Sequence, residues 1–232
     1  MPRRDVGLLF TCEHGGNRVP RRWAGLFEKH RTLLDSHRGW DPGALTLARA
    51  LSKAMAAPLV VSTTSRLLVD LNRSEHHRAV FSSITLALPD AERERILEEF
   101  YRPYRDRVEQ LVAGAISRGR VVHVSAHSFV PVLNGVTRRA DVALLYDPSR
   151  KPEKAFCDRW LADLKIELPT LALRRNSPYR GYTDGLTTTL RRRHAAKDYI
   201  GVEIEMNQRL LESGDFAAVT KALTRTLKAQ FH

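Results

Sequence analysis

Segments typical of strands and of helices alternate along almost the whole chain, and this alternation restricts the fold more than any other feature. Short apolar runs predict strands at 6–12, 58–64, 66–71, 120–128, 141–147 and 199–206. Apolar residues at helical spacing predict helices over 43–56, 90–118, 154–165 and 215–230, and Pro103 should break or kink the second. This order predicts a single α/β domain over residues 1–232, with a mostly parallel mixed sheet flanked by helices.

Basic residues are in large excess, which narrows the class of partner. The 232 residues include 38 Lys and Arg against 26 Asp and Glu, a formal charge of +12, and 30 of the basic residues are arginines. Such a charge suits a nucleic-acid-binding protein, which the arginine run at 191–193 would support. However, no helix-turn-helix, zinc-finger or RNA-binding motif is evident. Arginine also holds carboxylates through paired hydrogen bonds, so the composition fits an acidic small molecule as well and does not choose between the two partners. The absence of these motifs, together with arginines that lie beside the candidate carboxylates described below, disfavours nucleic acid.

The sequence gives no indication of export or of a membrane partner. The apolar run near its start, Val6 to Phe10, is shorter than the core of a secretory signal and far shorter than a membrane span. Cys12 and Cys157 lie far apart and form no CxxC pair, which favours a reducing compartment. We therefore expect a cytoplasmic protein.

Chemically active side chains stand at the ends of three predicted strands. The first strand is followed by Glu13 and His14, and the strand at 120–128 reaches His127. Glu203 and Glu205 lie two residues apart in the last strand and therefore share one face of the sheet. Ligand sites of parallel α/β sheets form at the carboxyl ends of the strands, so these side chains should converge there.

A further carboxylate, Asp41, precedes the helix predicted at 43–56. Two histidines and a carboxylate form the ligand set of a catalytic zinc site, and a separate glutamate could accept a proton from water. Plainer interpretations exist: Asp41 could be a helix cap, and a histidine at a strand end is more often a hydrogen-bonded surface residue. His123, among valines in mid-strand, is expected to be simply buried. Two carboxylates in an otherwise apolar strand cost several kcal/mol without partners, and a site explains them more simply.

Arginine and amide side chains gather in three segments that border the predicted strand ends. Most arginines should solvate the surface, but a substrate with a carboxylate needs one arginine to hold it and another to polarise the scissile carbonyl. We predict long loops at 128–140 and 174–198. The candidates are Arg66, Asn72 and Arg73 in 65–74, Arg138 in the first of these loops, and Asn176, Tyr179 and Arg180 in the second.

Seven motifs together resemble the N-formylglutamate amidohydrolase family. TCEHGGNRVP, GWDPGA, SRLLVDLNRS, HSF at 127–129, ADVALLYD, NSPYRGYTDG and VEIEMNQRLL occur in this order between about residues 9 and 212. The resemblance implies a phosphorylase/hydrolase-like α/β fold, distantly related to zinc carboxypeptidases. It also implies zinc-dependent hydrolysis of an N-formyl amide on glutamate, with release of formate and the free amino acid. Hydrolysis of another N-acyl amino acid, or of a short peptide, at the same zinc site is the alternative.

The same resemblance implies which side chains hold the metal. His14 in EHGGN and His127 in HSF correspond to ligands. The carboxypeptidases carry HxxE at the first motif, whereas this chain has Asn17 at the glutamate position. The carboxylate ligand must therefore come from elsewhere, with Asp41 as the first choice and Glu13 as the second.

Roles in binding and catalysis follow from the same resemblance. The pair Asn72–Arg73 resembles the Asn-Arg pair with which carboxypeptidases grip the substrate carboxylate, and Tyr179 would assist it. Glu205 stands where those enzymes place the general base, with Glu203 as its alternative. Arg66 is expected to stabilise the oxyanion.

Overall fold

The computed structural model describes residues 5–231, so residues 1–4 and His232 lie outside the description. The strands are β1 Asp5–Cys12, β2 Leu59–Val61, β3 Gly119–Phe129, β4 Val132–Leu133, β5 Val136–Thr137, β6 Val142–Leu145, β7 Leu173–Arg175 and β8 Tyr199–Asn207. The helices are α1 Arg31–Asp35, α2 Ala44–Met55, α3 Ser83–Leu86, α4 Asp90–Ile96, α5 Arg102–Ile116, α6 Lys151–Glu167, α7 Leu186–Arg193, α8 Arg209–Glu212 and α9 Phe216–Ala229. A 3₁₀ helix spans Arg21–His30 and a π-helical turn spans Leu97–Tyr101.

Six strands form one sheet in the order β2-β1-β3-β8-β6-β7. The first four strands of this order are parallel to one another, whereas β6 pairs antiparallel with β8 and β7 runs parallel to β6. The prediction of a mostly parallel mixed sheet flanked by helices is therefore confirmed. In the register of β3 and β8, His127 lies beside Glu205 and Ser125 beside Glu203.

Apolar cores cover both faces of the sheet, which is why its central strands are buried along nearly their whole length. The core beside α2, α6 and α9 includes Phe10, Val124, Trp160, Val202 and Leu223. The core beside α5, α7 and the 3₁₀ helix includes Leu9, Trp23, Val112, Val121 and Leu190. Over residues 5–231, no helix combines the length and apolar character required to span a membrane.

Three local predictions were wrong in detail. Residues 66–71 form successive turns rather than a strand, although most of their apolar side chains are buried, because a six-residue apolar run does not distinguish a strand from another buried segment. The segment expected to be a loop at 174–198 contains α7, and β4 and β5 form a small hairpin within 128–140. The helix predicted over 90–118 deviates at the π-helical turn, which ends two residues before Pro103, where a break or kink was expected.

Candidate active site

A cleft of about 180 Å³ opens at the carboxyl ends of β1, β3 and β8. Most of the residues predicted from the sequence line it: His14, Asp41, Arg66, Asn72, Arg73, His127, Tyr179, Glu203 and Glu205. This volume lies below the range of about 300–1,000 Å³ typical of pockets for drug-sized ligands. The cleft therefore suits a small metabolite.

The turn after β1 brings His14 into the cleft. A Cβ atom on Gly15 or Gly16 would lie 2.8 Å from a backbone oxygen of Ser62 or Thr63, so only glycine lets this turn approach the chain beyond β2 so closely. The Gly15 N–H donates to the Ser62 carbonyl oxygen at 3.0 Å. The two glycines of the EHGGN motif thus fix the backbone on which His14 is carried.

Three buried side chains converge at the base of the cleft. Asp41 Oδ2 lies 3.3 Å from His14 Nδ1 and 2.9 Å from His127 Nδ1. The three ligand atoms all lie within 4.8 Å of one another. The N-cap of α2 is Gly43, so the carboxylate of Asp41 is not a helix cap and is directed to the two histidines instead.

A carboxylate supports each histidine on its other ring nitrogen. Asp70 Oδ1 lies 2.7 Å from His14 Nε2, and Glu13 Oε2 lies 3.1 Å from His127 Nε2. Histidines that bind metals ordinarily donate this second N–H to a carboxylate or carbonyl, which fixes the ring and leaves the first nitrogen free for the metal. Glu13 is thus placed behind His127, and Asp41 is the carboxylate that lies between the two rings.

Glu13 is held as an anion in the interior. Tyr104 donates to its Oε1 at 2.8 Å, and Ser125 donates to its Oε2 at 2.5 Å. Burial raises the pKa of Glu13, but the hydrogen bonds and charge of His127 and the hydrogen bond from Ser125 outweigh burial and bring the pKa well below its usual range. Burial and the charge of Glu13 raise the pKa of Tyr104, so this phenol keeps the proton that it donates.

The cluster is strongly anionic, and its electrostatics favour a cation. Burial raises the pKa of Asp41, yet the charge of His14 and the hydrogen bond to His127 hold that pKa far below its usual range. Burial likewise lowers the pKa of His127, but Asp41 and Glu13 reverse the effect and raise it well above normal. In the absence of a metal, a proton on His127 therefore balances part of the carboxylate charge.

Glu205 and Glu203 lie side by side on β8 but have different surroundings. Glu205 is only 6% exposed, and its Oε2 has no hydrogen-bond partner among the residues that the structure describes. Burial is the main cause that raises the pKa of Glu205 to about 8, with smaller contributions from the charges of Asp41 and Glu203. Glu203, by contrast, accepts a hydrogen bond from the Thr187 hydroxyl at 2.5 Å. Glu205 Oε2 therefore has no competing hydrogen bond among the described residues, whereas Oε1 of Glu203 is engaged.

Arg66 borders the cleft and also pairs with two of its carboxylates. Its Nη2 donates to Asp70 Oδ2 at 2.7 Å, and its Nη1 lies 3.5 Å from Asp41 Oδ1. These interactions raise the pKa of Arg66 despite its burial, so the guanidinium stays charged. Arg66 therefore brings positive charge to the cleft and orients the carboxylates beneath the histidines.

Asn72 and Arg73 lie on the opposite side of the histidines. Asn72 Oδ1 accepts a hydrogen bond from the Leu186 N–H at 2.8 Å, and Asn72 Nδ2 lies 3.3 Å from His127 Nε2. Arg73 donates to the backbone oxygen of Asp184 at 3.3 Å and forms no carboxylate ion pair within residues 5–231. Its charge is therefore available to an anion in the cleft.

Tyr179 and Arg138 form a contact at the mouth of the cleft. Arg138 donates to the Tyr179 hydroxyl at 2.8 Å and stacks over its ring, and Tyr179 lines the cleft. Asn176 is not among the described residues that line it. Its Oδ1 accepts from the backbone N–H groups of Tyr146 and Gly181, so its amide folds the loop and is not directed at a ligand.

Sequence reasoning missed several residues of the site. Asp70, His37 and Asp184 were not assigned roles, although the first supports His14 and the other two line the cleft. Asp70 carried a usable signal, because it is an acid within an apolar run four residues after Arg66. The other two lie in half-buried turns, which have no distinguishing pattern.

The arginine run at 191–193 does not form one exposed basic surface. Arg191 is buried, donates to Glu153 at 3.0 Å and to the Gly201 carbonyl oxygen at 2.8 Å, and also contacts the Gly181 carbonyl oxygen. Arg193 pairs with Glu109 at 3.0 Å. Two of the three arginines that best supported nucleic-acid binding therefore pair with carboxylates, and Arg191 does so in the interior.

The donor set suits a zinc ion. Bonds of about 2.0 Å in a tetrahedral site place ligand atoms about 3.3 Å apart, and Asp41 Oδ2 lies 3.3 and 2.9 Å from the two histidine nitrogens. Three protein ligands leave a fourth position open, as in catalytic zinc sites. The unpartnered oxygen of Glu205 in the same cleft is the feature that such a site requires of a neighbouring base.

Comparison with solved structures finds proteins of similar fold, one of which is also similar in sequence. The gene product Atu2144 from Agrobacterium tumefaciens is 32% identical, with a TM-score of 0.79, and the alignment covers 96% of this chain and 90% of that one. A bacteriophage poly-gamma-glutamate hydrolase follows at 11% identity and a TM-score of 0.47, covering 99% of this chain and 86% of the other. The succinylglutamate desuccinylase from Chromobacterium violaceum matches at 14% identity and a TM-score of 0.41, covering 96% and 60%.

Sequence comparison gives two further results. A search of curated proteins finds no significant match. The family model described as N-formylglutamate amidohydrolase matches residues 6–212, which include every residue of the cleft described above. The resemblance seen in the motifs is thereby confirmed, and the chain belongs to the N-formylglutamate amidohydrolase family, hydrolases that act on amides.

Proposed function

We propose that this protein is a zinc-dependent amidohydrolase that removes the formyl group, or another N-acyl group, from an acidic amino acid such as glutamate. One observation carries the proposal. A buried carboxylate without a hydrogen-bond partner, Glu205, lies in the same small cleft as two histidines and an aspartate that converge within 4.8 Å. A proton acceptor beside a cation site is the arrangement that amide hydrolysis requires.

His14, Asp41 and His127 would hold the zinc ion, with Asp70 and Glu13 fixing the two rings. When bound, zinc supplies Lewis acidity, which polarises a carbonyl and lowers the pKa of water towards neutrality. The positive charge would also lower the pKa of Glu205 from the value of about 8 that it has in the metal-free protein. Glu205 would then be ionised and ready to accept a proton near pH 7.

Glu205 moves the protons of the reaction. Its free Oε2 accepts a proton from water as the water oxygen attacks the carbonyl carbon of the formyl amide. As the C–N bond breaks, the same carboxyl group returns that proton to the leaving nitrogen, so that formate and a free amino group result. Glu203, whose Oε1 is engaged by Thr187, raises the pKa of Glu205 by its nearby charge.

Charged donors in the cleft account for selection of an acidic substrate. Arg73 and Arg180 line it, and neither forms an ion pair with a carboxylate in the part of the chain that the structure describes. We assign Arg73 to the substrate carboxylate, assisted by Asn72, with Tyr179 held in place by Arg138. Arg66, paired with Asp70, adds positive charge beside the oxyanion that forms in the transition state.

The proposal is tested by metal analysis combined with a formate-release assay. N-formyl-L-glutamate is compared with N-formyl-L-glutamine, which has nearly the same shape without the side-chain carboxylate. We expect about one zinc per chain, loss of activity with a chelator, restoration by zinc, and a clear preference for the glutamate substrate. Formate release that persists in metal-depleted protein would refute the zinc dependence, and equal rates with the two substrates would refute the selection of an acidic side chain.

A further inference from the structure

A second, larger groove adjoins the cleft. Its volume is about 570 Å³, compared with about 180 Å³ for the cleft, and His37 and Arg66 line both. The two cavities therefore border on each other at these two side chains. The formyl group has only two heavy atoms, so a formyl substrate leaves this space unused.

The groove combines an apolar wall with unpaired positive charge. Its wall includes Leu33, Phe81 and Ile84, which are half-buried, and Leu86, which is 52% exposed. Arg78 lies beside them, is exposed, and forms no ion pair with a carboxylate in residues 5–231.

The remaining charges of the groove also favour an anion. Arg38 lines it and, like Arg78, forms no carboxylate ion pair within the described chain. Asp70 is the groove's acidic lining residue, but both of its oxygens are occupied, Oδ1 by His14 and the Asn72 N–H and Oδ2 by Arg66. The groove therefore combines an apolar surface, on which methylene groups can pack, with arginines that have no carboxylate partner in the described chain.

The orientation expected for the bound substrate directs its acyl group towards this groove. In the proposed function the amino-acid carboxylate is held by Arg73, and the scissile carbonyl lies between Glu205 and Arg66. The acyl group extends from that carbonyl away from the amino acid, and Arg66 is one of the two residues that the cleft shares with the groove.

We infer that the groove is a subsite for an acyl group consisting of a methylene chain that ends in a carboxylate. This inference rests on the proposed function and refines its substrate class: the enzyme should act on N-(ω-carboxyacyl) acidic amino acids better than on N-formyl ones. The chain would lie on Leu33, Phe81 and Ile84, and the terminal carboxylate would pair with Arg78.

The test compares N-formyl-, N-acetyl-, N-butanoyl-, N-succinyl-, N-hexanoyl- and N-adipoyl-L-glutamate on the zinc-loaded protein. Butanoyl and succinyl groups, like hexanoyl and adipoyl groups, have equal carbon numbers and differ in the terminal carboxylate. We expect kcat/KM to rise about two- to four-fold for each buried methylene. We also expect it to be about ten-fold higher for each carboxylate-terminated member than for its neutral partner.

Two variants test whether the acyl subsite lies in this groove. Arg78→Gln should lower the adipoyl-to-hexanoyl ratio of kcat/KM about ten-fold, whereas Ser83→Trp, which fills the groove from α3, should lower the ratio of adipoyl to formyl. Arg192→Gln removes an exposed arginine outside the groove and should change neither ratio. Calorimetric binding of N-adipoyl- and N-formylglutamate to Glu205→Gln, alone and combined with Arg78→Gln, measures the same preference without turnover.

The outcomes separate the two hypotheses. If N-formylglutamate is hydrolysed and the longer substrates are not preferred, the subsite is refuted and the proposed function stands. Ratios that do not respond to Arg78→Gln or Ser83→Trp would also overturn the subsite. If no member of the series is cleaved, the formyl compound included, both hypotheses fail.

Discussion

Replacing Glu205 with glutamine should stabilise the metal-free protein at pH 8 and have little effect on its stability at pH 5. The folded protein holds this carboxyl group in a buried position where its pKa is raised to about 8, whereas the ordinary pKa of an exposed glutamate is 4.5. At pH values between these two pKa values, the folded state keeps the proton on Glu205 that the unfolded chain has released. The free energy of unfolding therefore decreases as the pH rises.

The size of the effect follows from the two pKa values. The difference in proton binding between the folded and unfolded states lowers the free energy of unfolding by about 4 kcal/mol at pH 8 and by less than about 1 kcal/mol at pH 5. Glutamine cannot ionise, so Glu205→Gln should recover most of this free energy of unfolding at the higher pH. A buried carboxylate that has no hydrogen-bond partner is expected to destabilise its own fold when it ionises, and sites that need such a group accept this cost.

The assay is urea unfolding in the presence of a chelator at pH 5 and pH 8, with the free energy of unfolding extrapolated to water. Glu98→Gln, which removes an exposed carboxylate, is the control and should have little effect at either pH. Saturating zinc should shrink the advantage of the variant, since the cation stabilises the ionised form of Glu205. An equal difference between wild type and variant at both pH values would show that this carboxyl group does not carry a raised pKa.

Three further predictions concern the loaded enzyme and its substrate. Glu205→Gln should retain zinc by metal analysis while formate release falls about 10²–10⁴-fold, the usual contribution of a general base; near-normal activity would mean that another group takes the proton. Asp70→Asn should weaken zinc binding about 10–100-fold in a chelator competition, and His127→Ala should abolish it, whereas Asp106→Asn on the surface should do neither. Unchanged zinc content in His127→Ala would contradict the ligand assignment. Arg73→Gln should raise KM for N-formylglutamate about ten-fold or more with a smaller change in kcat, and an unaltered KM would place the substrate carboxylate elsewhere.

The central part of the site could be predicted because strand order determines it. Parallel strands end at the same edge of a sheet, so residues at the ends of β1, β3 and β8 meet whatever lies between them in the sequence. His14, His127 and Glu205 were found in this way, and the alternation of apolar runs gave the mostly parallel sheet. Glu203 and Glu205 share a face because side chains repeat every second residue along a strand.

Features that depend on side-chain direction in turns could not be predicted. Glu13 adjoins His14 in sequence, yet it points behind His127, because consecutive residues at a strand end face opposite ways. Residues 66–71 are as apolar as a strand, but they form turns that bring Asp70 beneath His14. Asparagine is common in binding sites, but the side-chain oxygen of Asn176 accepts hydrogen bonds from backbone N–H groups and stabilises its own loop.

The buried pair of Arg191 and Glu153 has a consequence for how tightly a small substrate can be held. Arg191 binds the Gly181 carbonyl oxygen, and the amide of Asn176 binds the Gly181 N–H, so both sides of this residue are fixed in the free protein. The neighbouring residues Arg180 and Thr183 line the cleft on that loop. The conformational entropy of this loop is therefore lost when the protein folds and not when the ligand binds. More of the interaction energy with the ligand then contributes to affinity.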